Sequence, residues 1–150
     1  EIEVLDLNDY PLPIFGVDLE AEIGIPKLVI DFAAKISSAD FIICSSAENN
    51  GSYNAAFTNL YDWVSRIPHR KEFDEKLLLF MATSSGGRGG QSVLSAAIER
   101  FSRDGAQLLG HFYLPKFNEN FIPEKGIIEP TLLMELKKTL TIVNHQLKIK

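Results

Sequence analysis

Residues 41–53, Phe-Ile-Ile-Cys-Ser-Ser-Ala-Glu-Asn-Asn-Gly-Ser-Tyr, decide how the chain is read. The first five are a strand, and their continuous apolar run is the pattern of one covered on both faces. The polar stretch 46–52 opens onto an amphipathic helix predicted from Tyr53 to about Arg66, with Tyr53, Ala56, Phe57, Leu60 and Val64 on one face and Trp63 beside it. A polar loop with a glycine between a buried strand and a helix N-terminus is where open α/β sheets bind ligands. The backbone can come close there, and free N–H groups point outward. The plainer reading is a strand-to-helix turn capped by Ser52. The flanking chain decides between the two.

Upstream, Leu28, Val29, Phe32 and Ile36 follow helical spacing after Pro26, which a first turn accepts, and this helix ends near Ser37-Ser38. Pro11 and Pro13 bar both helix and ladder, so 11–22 reads as a loop, while Ile2, Val4, Leu5 and Leu7 form a short strand pattern. Downstream, Ile67-Pro68 stops the helix and 69–74 is a charged connector. Residues 77–82, Leu-Leu-Leu-Phe-Met-Ala, form a second buried strand, and Val93, Leu94, Ala97, Ile98 and Phe101 mark another helix. A further strand starts at Gly105 and runs through Leu108, Leu109 and Phe112. A proline-bounded loop covers 115–130, and Leu133, Leu136, Leu140, Val143 and Leu147 mark a final helix. Strands alternating with helices imply right-handed βαβ units: an α/β fold with an open parallel sheet and helices on both faces.

The bulk properties narrow the function. At 150 residues the chain is one domain, 1–150, large enough for a real core. A net charge of −5 without a basic stripe argues against nucleic acid as a partner, and no apolar run is long enough to span a membrane. The single cysteine, Cys44, excludes an intrachain disulfide, fits a reducing compartment, and reads as a small core residue rather than a nucleophile. His69, His111 and His145 lack metal spacing and read as surface or loop residues. No acid/base pair stands out, so neither a catalytic side chain nor a metal site is assigned.

A second loop, Thr83-Ser84-Ser85-Gly86-Gly87-Arg88-Gly89-Gly90, follows the second buried strand. Its glycine cluster exceeds the needs of a simple turn and marks positive φ or close approach by another group. Arg88 offers a fork for a phosphate or carboxylate. The loop is neither a P-loop, since no Gly-Lys-Ser/Thr follows, nor a dinucleotide fingerprint, since the third glycine is missing. Polar side chains and backbone amides without a metal cluster suit a flat heteroaromatic ligand.

Glu48-Asn49-Asn50-Gly51-Ser52-Tyr53, followed by Asn59 and Asp62-Trp63, resembles the signature of the NADPH-dependent FMN reductases of the flavodoxin-like superfamily. The 83–90 loop is similar to the family's Thr-Ser-Pro-Gly-Gly-Arg-Gly-Gly. The resemblance covers nearly the whole chain. It implies a flavodoxin-like three-layer sandwich that holds FMN at the strand C-termini. Glu48, Asn49, Asn50, Gly51, Ser52 and Tyr53 would contact one side of the flavin, and Ser84, Ser85, Gly86, Gly87, Arg88 and Gly89 the other. NADPH or NADH would donate hydride to the flavin, which passes it to a small-molecule acceptor: a flavin, a quinone, an azo compound or a metal ion. A homodimer or homotetramer in the cytoplasm is implied as well.

Ala47, Asn49, Ser85 and Asn54 depart from the family's Pro, Tyr, Pro and Pro, which loosens both loops and removes a ring contact. The family's first strand and its Ser/Arg-rich phosphate loop would precede Glu1, so the domain is expected to lack its N-terminal strand and first helix as the sequence stands. Two alternatives remain: a flavodoxin-like FMN electron carrier, disfavoured by the modest charge and glycine-rich loops, and a degenerate member that has lost FMN.

Overall fold

The computed structural model describes residues 1–149. Strand β2, Leu77–Thr83, has no polar face: Leu78, Leu79 and Phe80 point alternately to opposite sides, and all three are fully buried. Such a strand is stable only between two others and under cover on both faces. Accordingly β1, Phe41–Ala47, and β3, Gln107–Leu114, flank it in parallel, giving the order β1-β2-β3. Parallel neighbours need crossovers, and helices α3, Ala55–Val64, and α4, Gln91–Arg103, supply them.

These two helices cover one face, where Phe101 and Val93 meet Leu78, Phe80 and Ala82 in the main core. Phe101 is surrounded by the rings of Tyr53, Phe57, Tyr61, Phe73 and Phe80 at centroid separations of 4.5–6.0 Å. The other face is covered by α6, Pro130–Ile149. Gly110 allows its close approach, since a Cβ there would come within 3.1 Å of the Thr139 and Val143 methyls. The fold class is the three-layer α/β arrangement expected.

Several sequence expectations need correction. Residues 1–6 form no regular element and Leu7–Asp9 is a 3-10 turn, so the strand expected at 2–7 is absent; Ile2 and Val4 are 92% and 86% exposed. An extended segment needs a neighbouring strand to satisfy its N–H and C=O groups, and these residues have none among those described. The loop expected at 11–22 contains most of a short helix, α1, Val17–Ile23, introduced by Gly16. Strand β1 is covered on one face only: Ile42 and Cys44 pack on the main core, while Ile43 is 58% exposed. Helix α3 starts at Ala55 rather than Tyr53, and its cap is Asn54, whose side chain accepts from Phe57 N at 2.8 Å. Ser52 is not a cap. The 115–130 segment holds the short helix α5, Phe117–Asn120, and a two-residue ladder between β4, Phe121–Ile122, and β5, Gly126–Ile127.

A second core joins α2, Lys27–Ser38, to the outer side of α3 through Val29, Leu60, Trp63 and Val64. The proline-broken segment before α1 is held to α3 by two side chains. Asn59 accepts from Phe15 N at 2.8 Å and donates to Pro13 O at 3.0 Å, and Trp63 Nε1 donates to the same carbonyl at 2.9 Å. A chain that cannot form a ladder is thus tied down by side-chain bonds. Asn59→Ala is expected to lower unfolding free energy by about 1–3 kcal/mol, since it orphans the half-buried Phe15 N–H and the Leu12 carbonyl, while Pro13 O keeps its bond from Trp63. Denaturant titration measures the loss, and limited proteolysis should shift to residues 10–24.

Candidate functional site

The parallel register lines up three strand ends: Ala47 opposite Thr83, and Thr83 opposite Leu114. Three loops therefore leave the sheet side by side at its C-terminal edge.

The first loop is a tight two-residue hairpin. Asn49 and Ser52 exchange both backbone bonds at 3.0 Å, and Asn50 and Gly51 both have positive φ, 52° and 75°. Asn-Gly is the pair that tolerates this geometry best. Its tip is exposed. Glu48 behaves differently: its backbone N–H donates to Thr83 O at 3.0 Å, and its carboxylate Oε2 accepts from Ser92 N at 2.9 Å and Val93 N at 3.1 Å. Tyr53 also turns inward, stacking on Phe57 and Phe101, and its hydroxyl is buried without a partner. Burial pushes its pKa up to about 12.

The second loop is anchored at both ends. Gly86 O accepts from Gly89 N at 3.2 Å and Lys116 N at 2.9 Å, Ser84 O accepts from Phe117 N at 3.1 Å, and Thr83 Oγ1 donates to Leu114 O at 2.8 Å. Gly89 and Gly90 are buried with left-handed φ, whereas Ser85, Gly86, Gly87 and Arg88 are exposed. The third loop, with Lys116 and Phe117, belongs to the proline-bounded 115–130 segment, to which the sequence assigns no role. The signal that would have found it is Leu114-Pro115, an apolar strand ending in a turn beside the other two.

The structure thus brings Asn49, Asn50, Gly51 and Ser52 to the same edge as Ser85, Gly86, Gly87 and Arg88. Glu48 and Tyr53 point away from it into the protein, and Gly89 lies beneath it. Among the described residues, the backbone N–H groups of Asn50, Gly51, Ser85, Gly86, Gly87 and Arg88 have no acceptor. Nothing lies within 4 Å of a Cβ built on Gly51 or Gly87. Unpaired donors on two neighbouring loops with open space before them fit the edge of a flat ring that carries carbonyl and nitrogen acceptors, as an isoalloxazine does.

Other clusters do different work. Burial pushes the Cys44 thiol up to about 12, which leaves it protonated and unreactive. The three histidines are exposed, and no three His, Cys, Asp or Glu side chains converge among the described residues. Between α3 and α4, a cavity of about 20 Å³ lined by Tyr53, Tyr61, Arg100 and Phe101 is the size of one water. Beside it Tyr61 donates to Asp104, whose carboxylate also receives Arg100 Nε at 3.1 Å and Arg103 Nε at 3.3 Å.

The NADPH-dependent FMN reductase family matches residues 1–119. The chain belongs to that family. The family is one of NAD(P)H-dependent flavin oxidoreductases, with FMN as cofactor and a reduced nicotinamide as hydride donor, in agreement with the class expected from the loops. The chain is 37% identical over 141 residues to an NADPH:quinone oxidoreductase of Arabidopsis thaliana, covering 92% of this chain and 67% of the relative. It is 35% identical over 92 residues to an NAD(P)H:quinone oxidoreductase of Solanum tuberosum, covering 61% of this chain but only 45% of the relative. The fold matches FerB, a flavoenzyme NAD(P)H:(acceptor) oxidoreductase of Paracoccus denitrificans, with a TM-score of 0.73 at 20% identity over 92% of this chain and 76% of that one.

Two outcomes follow from this geometry. A Cβ at Gly89 would meet Pro115 Cα and N at 2.5 Å with φ at +60°, whereas one at Gly87 meets nothing. Gly89→Ala should therefore lose about 2–3 kcal/mol in urea unfolding, and Gly87→Ala less than about 1 kcal/mol. At Asp104, burial opposes ionisation, but the bonds from Tyr61, Arg100 and Arg103 outweigh it and hold the carboxyl below its ordinary value. Its stabilisation is therefore present above the unfolded pKa and is lost as pH falls through the folded one. Asp104→Asn should cost about 1–3 kcal/mol at neutral pH, and the gap to wild type should close below about pH 4. Thermal melts across that range measure it.

Proposed function

We propose that the chain binds the ring of FMN between the 49–52 and 85–88 loops and uses a reduced nicotinamide to reduce a small quinone. The observation that carries this reading is the set of unpaired N–H groups on Asn50, Gly51 and Ser85 through Arg88, gathered on one edge by the strand register. When bound, FMN would supply the redox chemistry, taking hydride from NADPH or NADH and giving it up to the acceptor. The chain's own residues bind and orient. The Asn50 and Gly51 amides would donate to acceptors on the ring, the Gly86 and Gly87 backbone would allow close approach, and Arg88 would offer a cation for an anionic group. No side chain is asked to abstract a proton from carbon, so the lack of an acid/base pair is no obstacle. A quinone is preferred over a flavin, azo compound or metal ion because the Arabidopsis and potato relatives carry quinone in their names.

The proposal extends to the rest of the domain. A first strand and phosphate loop ahead of Glu1 would complete a single flavodoxin-like unit; support comes from the family resemblance and from the outer edge of β1, which pairs with no strand among the described residues. A cytoplasmic homodimer or homotetramer rests on the resemblance alone.

The test is a spectrum. Purified full-length protein mixed with FMN should quench flavin fluorescence, and the yellow complex should bleach on adding NADPH without air and recover on adding a quinone. A protein that leaves FMN fluorescence unchanged overturns the proposal. A yellow complex that NADPH cannot bleach supports the electron-carrier alternative.

A further inference from the structure

Helix α4 cannot cap itself. Its N-cap residue is Gly90, with φ at +88° and no side chain to offer. The glycine is compulsory, because a Cβ at that position would sit 2.8 Å from Ala82 Cβ and 3.0 Å from Thr83 N. The Ser, Thr, Asp or Asn that ordinarily accepts from the first-turn N–H groups is therefore barred by the packing of the helix against β2. The missing acceptor comes from 44 residues away. Glu48 Oε2 receives both Ser92 N and Val93 N, the second and third residues of the helix, at 2.9 and 3.1 Å. A carboxylate on two N–H groups at the positive end of a thirteen-residue helix has charge-assisted bonds and a favourable dipole at once.

The backbone of Glu48 is fixed as firmly. Its N–H extends the β1–β2 ladder by one bond, to Thr83 O, so its backbone ties the start of the first loop to the start of the second, while its carboxylate reaches the helix beyond the second loop's end. Its neighbours Asn49 to Ser52 form the hairpin, and the helix it caps begins immediately after 85–90.

We propose that Glu48 is a positioning residue for the flavin ring: it makes no contact with the ring, and it sets the separation of the two loops that do. This rests on the flavin reading above, and it moves Glu48 out of the set of direct contacts. The two loops hold unpaired donors at a spacing that one carboxylate decides, so a change there should alter ligand affinity without removing any ligand contact.

The experiment compares wild type, Glu48→Ala and Glu48→Gln, with Asn59→Ala as a control that lowers stability away from the loops. FMN affinity is read from fluorescence quenching, and exchange of the Ser92 and Val93 amides from hydrogen-exchange NMR without FMN. Glu48→Ala should weaken FMN binding by about tenfold or more, the scale of one lost helix cap, and speed exchange at both amides. Glu48→Gln, which keeps an oxygen acceptor but not the charge, should fall between. Added formate, filling the vacated place, should restore part of the affinity of Glu48→Ala and none to the control. Wild-type affinity in Glu48→Ala, or unchanged exchange at Ser92 and Val93, overturns the assignment of Glu48 while the flavin reading stands. A wild-type protein that binds no FMN overturns the flavin reading, and the flavin role of Glu48 with it.

Discussion

The parallel ladder on both sides of β2 is the constraint from which the rest of the molecule follows. Its residues are buried on both faces, so the strand must lie between partners and under two helical layers. Parallel pairing then sends every strand out at the same edge, where Ala47, Thr83 and Leu114 stand in a row. A hairpin, a glycine loop and a proline turn that are distant in sequence become neighbours for that reason. Even the irregularity in the ladder, a register shift between Leu78 and Leu79 on the β3 side, leaves this alignment intact by Thr83.

Much of this was legible in the chain. The apolar runs 41–45 and 77–82 marked the strands, because continuous apolar stretches bounded by polar loops have few other uses. The Asn50-Gly51 and Gly86 to Gly90 loops announced themselves through residues that tolerate positive φ, and Gly51, Gly89 and Gly90 adopt it. What could not be read lies in tertiary partners. Ile2, Val4, Leu5 and Leu7 make a short strand pattern, but local pattern does not say whether a neighbour exists to complete the ladder. The Glu48 bond to α4 spans 44 residues, and nothing in its local sequence separates it from a ligand contact. Asn54 illustrates the reverse: a departure from the family's proline, expected to loosen the loop, instead caps α3.

Family membership rests on sequence, whereas the proposed ring site rests on the loop edge. The family match covers residues 1–119, and the likeness to FerB at 20% identity concerns the fold alone. The edge rests on unpaired backbone donors, whose presence does not depend on which side chains occupy the loop. Those donors remain although Asn49 and Ser85 stand where the family has tyrosine and proline. A backbone-built surface tolerates such exchanges so long as its glycines and anchoring bonds remain.

The borrowed cap on α4 ties together three positions that are distant in sequence. Ala82 lies against the start of the helix, a side chain at position 90 would meet Ala82 and Thr83, and Glu48 supplies the acceptor that Gly90 cannot. These residues form one unit of variation. A chain in which position 90 regained a capping side chain would need the helix to stand farther from β2, and position 48 would then be free to change. Among relatives, substitutions at 48 and 90 should therefore occur together, and anyone redesigning either loop has to treat them as a single choice.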